Sequence, residues 1–274
     1  MLNIYTLPSS LRHLSLITEI SYALLEREAA MLRLIKNFTL LFLASFSATH
    51  LLLINKSEAE ALWDNWYVVS TNGAPESYYN EQAEIVGDKA KIRVNTWLKD
   101  GSKIKSENLG ATAKNTPLLE PLLYNFRTQE EGIEKTIDGT IMNNGKVFSV
   151  KIKKGDKNLN PIRAEMLPNL ILVSFFPIWI HQNYKRISSV QPKDFSAIIE
   201  DQVGDQVPVV KGNVYEMMPD QISKETHTRK LRVVFNDIVA YWYVSPKGDP
   251  IQISAPSLKK LVKKVSRQEA EKFL

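Results

Sequence analysis

The stretch Ala90-Lys-Ile-Arg-Val-Asn-Thr-Trp-Leu98, followed by Lys99-Asp100-Gly101-Ser102, decides the fold class. Ile92, Val94, Thr96 and Leu98 fall on one side of an extended chain, and Lys91, Arg93, Asn95 and Trp97 on the other. Successive strand side chains point to opposite faces, so this alternation predicts a strand with one apolar face. Asp-Gly then supplies the positive φ of a two-residue hairpin turn, and residues 103–109 are predicted as the return strand.

The same pattern recurs along the chain. Residues 66–70 form a short apolar run ending in the turn Asn72-Gly73-Ala74-Pro75. Residues 136–142 lead into Asn144-Gly145, and residues 146–153 leave it with Phe148, Val150 and Ile152 on one face. Residues 228–235 turn at Asn236-Asp237 and return through 239–244; Ser245-Pro246-Lys247-Gly248-Asp249 then turns into 251–254. Hairpins joined by short turns are the signature of an antiparallel meander, not of β-α-β crossovers.

Two segments depart from it. Residues 166–180, Met-Leu-Pro-Asn-Leu-Ile-Leu-Val-Ser-Phe-Phe-Pro-Ile-Trp-Ile, are almost wholly apolar, too short to span a bilayer and interrupted by Pro177. They are predicted as one or two buried helical turns that plug or line an apolar space. Residues 257–274 place Leu258, Leu261, Val262 and Val265 at helical spacing, with Lys259, Lys260, Lys263, Lys264 and Arg267 on or beside the opposite face. An amphipathic basic C-terminal helix is the expectation.

The fold class expected is therefore mainly β: a curved antiparallel sheet, or half-barrel, over residues 62–256, with a short apolar helical segment inside it or at its mouth and the C-terminal helix after it. Trp66-Tyr67-Val68-Val69, Asp138-Gly139-Thr140-Ile141, Leu167-Pro168-Asn169-Leu170, Tyr241-Trp242-Tyr243 and Pro246-Lys247-Gly248-Asp249-Pro250 follow one another in order. In this the chain resembles uncharacterised secreted bacterial proteins with a curved antiparallel sheet. That architecture is similar to the periplasmic lipoprotein-localisation carriers of the LolA and LolB type. The resemblance implies a sheet wrapped around a helix, enclosing a cavity for acyl chains, with the 166–180 segment in the helix's place.

The N-terminal region reads as targeting. Arg33 and Lys36 after Met31 form a positive n-region, residues 37–54 contain no Asp, Glu, Lys or Arg, and Ala59-Glu60-Ala61 fits a small-x-small cleavage pattern. Residues 31–61 are expected to be a signal peptide; the 18-residue apolar stretch also suits an uncleaved anchor, and a buried core helix is the third reading. Residues 1–30 fit poorly ahead of it and are expected to be a mis-assigned or disordered extension. A periplasmic or secreted location follows.

Composition narrows the chemistry. The chain has no cysteine among its 274 residues, which excludes thiol nucleophiles, Cys-ligated zinc and iron–sulfur clusters. Five basic and five acidic residues balance within 1–61, so the net charge of +5 sits on the remainder. That mild excess suits an anionic membrane surface and falls far short of a nucleic-acid binder. There is no Gly-x-Ser-x-Gly, no Gly-x-Gly-x-x-Gly and no phosphate loop. His181 and His227 sit in no recognisable motif, and Glu200-Asp201-Gln202-Val203-Gly204-Asp205 lacks EF-hand spacing and reads as a solvated turn.

No catalytic residue, metal or cofactor is expected. The function expected is a non-enzymatic binding protein of the cell envelope. Leu172, Phe175, Phe176, Ile178 and Trp179 would line a cleft for a lipid or the acyl chain of a lipoprotein, and Lys259, Lys260, Lys263 and Lys264 would face the membrane. A structural or protein-interaction module with a filled core is the alternative, and a hydrolase near His181 the third.

Overall fold

The computed structural model describes residues 59–273 apart from 101, 102, 131, 143 and 144. The expected extension, the n-region and the 37–54 apolar stretch lie outside the described residues. Seven strands open the chain as a meander: β1 (Glu60–Thr71), β2 (Ala74–Val86), β3 (Lys89–Asp100), β4 (Lys103–Lys114), β5 (Pro121–Glu130), β6 (Ile133–Met142) and β7 (Val147–Lys154). The short β8 (Lys157–Asn158) and β9 (Ile162–Glu165) both return onto β7. After β10 (Leu170–Leu172) come β11 (Lys193–Ile198), β12 (Val209–Glu216), β13 (Arg229–Phe235), β14 (Ile238–Val244), β15 (Pro250–Ala255) and β16 (Lys260–Val265). β16 pairs with β1, which joins the two meanders into one curved, unclosed sheet. Among the described residues every pairing is antiparallel except β10 with β11. The free edges, β8 with β9 and β10, are consecutive in the chain and separated by residues 166–169 only.

The alternation that suggested β3 sets its orientation. Ala90 and Ile92 are buried inside the sheet, while Lys91 and Arg93 face outward. Phe148, Val150 and Ile152 of β7 are buried on the same inner surface. Gly139 of β6 is forced by packing: a Cβ there would meet the Tyr124 ring at 2.0 Å and the Phe148 ring at 2.7 Å, because those rings stack 5.7 Å apart across it. The Asn72-Gly73 turn has φ of 55° and 82°, the left-handed pair that a two-residue hairpin requires.

Inside the curve, residues 173–175 form a 3-10 turn that runs into α1 (Phe176–Asn183); the short α2 (Gln221–Glu225) comes later, between β12 and β13. Phe176, Ile178, Trp179, Ile180 and Asn183 are all buried, as expected of an interior helix. Two details differ from the sequence reading. Residues 170–172 of the apolar segment are a strand, not a helical turn, because they pair with β11. Pro177 begins the helix instead of interrupting it, since a first-turn proline forfeits no hydrogen bond.

Two further corrections concern elements. Ala74 and Pro75, expected in a turn, and residues 76–86, for which the sequence predicts no element, form the thirteen-residue β2. The predicted helix over 257–274 is a 3-10 turn (Pro256–Leu258), then β16, then the short α3 (Arg267–Ala270) and a final 3-10 turn. A helical apolar spacing was present, but Leu261 and Val262 fill the gap between β1 and β15, where a strand satisfies two rows of backbone groups. β1 begins at Glu60, which pairs with Ile85, so the expected cut after Ala61 falls just inside this strand.

Candidate functional site

Leu172, Phe175, Phe176, Ile178 and Trp179 are brought together as expected, but as filled interior. Phe176 lies 5.6 Å from Trp179, 4.8 Å from Phe195, 5.2 Å from Phe235 and 5.1 Å from Trp242, ring centre to ring centre. Each of the five is at most 3 % exposed. They fill the space that they were expected to line, because rings from β11, β13 and β14 close on the helix from the sheet side.

The open space lies next to them. A groove of about 960 Å³ runs along the start of β12 and the β13–β14 turn, walled by Val173, Ile199, Val207, Val209, Phe235 and Ile238, with Gln202, Gln206, Asn236 and Asp237 at its rim. Phe235 belongs to both regions: half-buried, it meets the groove on one side and Phe176 and Phe195 on the other. A smaller hollow of about 550 Å³, more polar, lies across the same turn and shares Asn236 and Asp237.

One wall of the groove is clasped to the other by a buried carboxyl. Glu200 is 2 % exposed and accepts from the Ser174 backbone N–H at 3.1 Å and from the Ser174 hydroxyl at 2.5 Å. Burial pushes its pKa up to about 7 against the opposing Ser174 bonds. Among the described residues the buried Tyr124 hydroxyl has no hydrogen-bond partner; burial first, and the Glu200 carboxyl second, raise its pKa. The acidic stretch 200–205, read as a solvated turn, thus has its first member inside; the neighbouring Asp201 and Asp205 are exposed.

A polar cluster occupies the opposite end of α1. Trp63 donates its ring N–H to Glu81 at 2.7 Å, and Glu81, 5 % exposed, is pushed up to about 7 by burial. Asn65 donates to the Tyr67 hydroxyl at 3.2 Å and to Asp249 at 3.3 Å, and Tyr67 donates to the Pro250 carbonyl at 3.1 Å. Burial would raise Asp249, but the bonds from Lys264 and Ser245 outweigh it and hold this carboxyl below its ordinary range. His181 meets the Lys247 carbonyl through Nδ1 and sets its ring against the edge of Trp63, 6.0 Å away. Among the described residues no hydroxyl is bonded to His181. His227 is exposed with φ 52°.

The four tail lysines sit on or beside β16, not on a helix. Lys264 pairs with Asp249 at 2.9 Å and Lys260 with Glu76 at 2.9 Å; Lys259 and Lys263 are exposed. Among the described residues no three His, Cys, Asp or Glu side chains gather as a metal site.

The groove was not legible as a site, since its walls come from four separate segments and carry ordinary aliphatic residues. The closest sequence signal is the Val207-Pro208-Val209-Val210 run. No protein-family model matches this chain, and no curated protein or solved structure matches it either.

Proposed function

We propose that this protein is an exported, non-enzymatic component of the cell envelope that holds a lipid or acyl chain in the groove between Val173, Ile199, Val207, Val209, Phe235 and Ile238. The observation that carries the reading is the groove itself. Its volume of about 960 Å³ suits a small-molecule site, and its walls are mainly aliphatic. A hydrocarbon chain gains free energy on leaving water and needs no directed donors, which fits walls without charged side chains. Export rests on the features of residues 31–61.

The test is binding of a fluorescent fatty acid to the purified protein and to Ile238→Asp. Ile238 is 40 % exposed, so a carboxylate there leaves the core alone. Binding at least tenfold weaker with an unchanged melting temperature supports the reading; unchanged binding ends it. A second reading, an interaction module without a ligand, is favoured by the solid packing of Phe175, Phe176 and Trp179. Failure of the wild-type protein to bind any acyl probe would leave that reading standing.

A further inference from the structure

The most exposed apolar side chains of the described residues are Val190, 91 % exposed, and Met218, 84 % exposed. Both stand at the end of the sheet opposite the groove, where β11 begins and β12 ends. Val190 belongs to the loop between α1 and β11, and Met218 to the segment between β12 and α2 (Gln221–Glu225). The two segments are tied side by side: the Glu216 N–H donates to the Ser188 carbonyl at 3.1 Å, two residues before each tip.

Arg229, the first residue of β13, rivets both. Its guanidinium donates to the Glu216 carboxylate at 2.8 and 2.7 Å, to the Ile187 carbonyl at 2.6 Å and to the Tyr184 carbonyl, and it stacks 4.4 Å over the Tyr184 ring. The clamp consumes Glu216. Asp220 is consumed too, by Lys230 at 2.8 Å and Tyr243 at 2.8 Å. Lys185, Arg186 and Lys224 are exposed, with no carboxylate paired to them among the described residues. The exposed carboxylates on these segments are Asp194 and Glu225, and Glu225 accepts from Gln221. What faces outward is two apolar tips on a fixed base, with a cationic rim.

We propose that this end of the protein docks on an anionic lipid bilayer, with Val190 and Met218 inserting among the headgroups and Lys185, Arg186 and Lys224 meeting lipid phosphates. Two side chains bury far less than the roughly 1,200 Å² that a stable protein–protein contact needs. A bilayer asks for no matching surface, only apolar tips and positive charge. The clamp pays the ordering cost in advance, since the loops need not rearrange to insert.

The absence of cysteine makes the test direct, because single cysteines can be labelled uniquely. Full-length Val190→Cys, Met218→Cys and, in the exposed turn before β8 and away from the groove, Asp156→Cys proteins carry an environment-sensitive fluorophore. They are mixed with vesicles of phosphatidylcholine with or without phosphatidylglycerol. The 190 and 218 labels should shift to the blue on phosphatidylglycerol vesicles and lose the shift at high salt, while the 156 label stays unmoved. Lys185→Gln with Arg186→Gln should weaken vesicle affinity about tenfold or more. Labels at 190 and 218 that stay in water while the protein sediments with vesicles would overturn the proposal, since the 37–54 segment alone would then be the anchor. So would a shift of equal size at 156, or a shift without vesicles that grows with protein concentration. Ile238→Asp should leave these signals unchanged, so groove and docking surface succeed or fail separately.

Discussion

The two ends of the sheet around α1 are built from similar material and finished differently. At the end where α1 terminates, polar groups are spent on one another. Arg229 grips two loops, Asn183 donates to the Pro117 carbonyl at 3.1 Å and Gln182 to Asn115 at 2.7 Å, and Asp249 binds Lys264 and Ser245. At the end where the 3-10 turn begins, one carboxyl, Glu200, joins the two walls, and between them the aliphatic groove stays open. Directed bonds close a mouth because each fixes a distance. Aliphatic walls fix none, and an open groove survives where no partner side chain reaches across. Open space therefore lies at the end with fewer polar contacts, and the clamped loops at the other.

The contrast depends on a solid middle, which is the first thing to break. Phe176→Ala should cost about 3–5 kcal/mol, because its ring has four aromatic neighbours and no room to relax. Urea denaturation should show the midpoint move sharply. A loss below about 1 kcal/mol would mean that the interior is not filled, since even an Ile→Val truncation can cost that much.

The next effect is one of pH. Glu81 and Glu200, one at each end, both have pKa values pushed by burial to about 7, above the ordinary 4.5. A carboxyl whose folded-state pKa is raised contributes stability that is fully present below 4.5 and is lost as pH rises through 7. Stability should therefore fall between pH 5 and pH 8, by up to about 3 kcal/mol for each group. Glu200→Gln keeps an oxygen for Ser174 and should remove one share of the slope, and Glu81→Gln the other. Denaturation midpoints at the two pH values check it; a flat profile in the unsubstituted protein would refute it.

Much of the sheet was legible because hairpins are local. Asp100-Gly101, Asn144-Gly145 and Asn236-Asp237 mark reversals, and the alternation on either side needs no distant partner to be seen. β2 was hidden because it buries Asn80 and Glu81, whose partners, Asp64 and Asn65 for the first and Trp63 for the second, lie on β1. β16 was misread because Leu-Val-Lys-Lys-Val suits either period, and only the gap between β1 and β15 decides. The five interior residues were recognisable as greasy. Whether greasy residues fill a space or border one depends on Phe195, Phe235 and Trp242 arriving from other strands. Glu200 looked like surface in the sequence, since its place depends on Ser174, 26 residues earlier.

The smaller effects separate clamp from decoration. Arg229→Met should cost about 2 kcal/mol, since it strands Glu216 and the Tyr184 and Ile187 carbonyls, which lie partly out of water. It should also loosen the 184–192 loop, seen as faster amide exchange there. Lys264→Gln should cost less, about 1 kcal/mol, because only its carboxylate partner, Asp249, is deeply buried.

Lys260→Gln should change almost nothing. Lys260 and Glu76 face each other at the same 2.9 Å as Lys264 and Asp249, but their side chains are 46 % and 37 % exposed. Water and salt screen that pair, and holding two long side chains in place offsets its attraction, so the expected change is within about 0.5 kcal/mol. Parallel melts of the two glutamine variants test the point at matched bond length. Should Lys260→Gln cost as much as Lys264→Gln, burial would not be what gives these ion pairs their strength. The closed end would then not owe its rigidity to water-excluded polar groups.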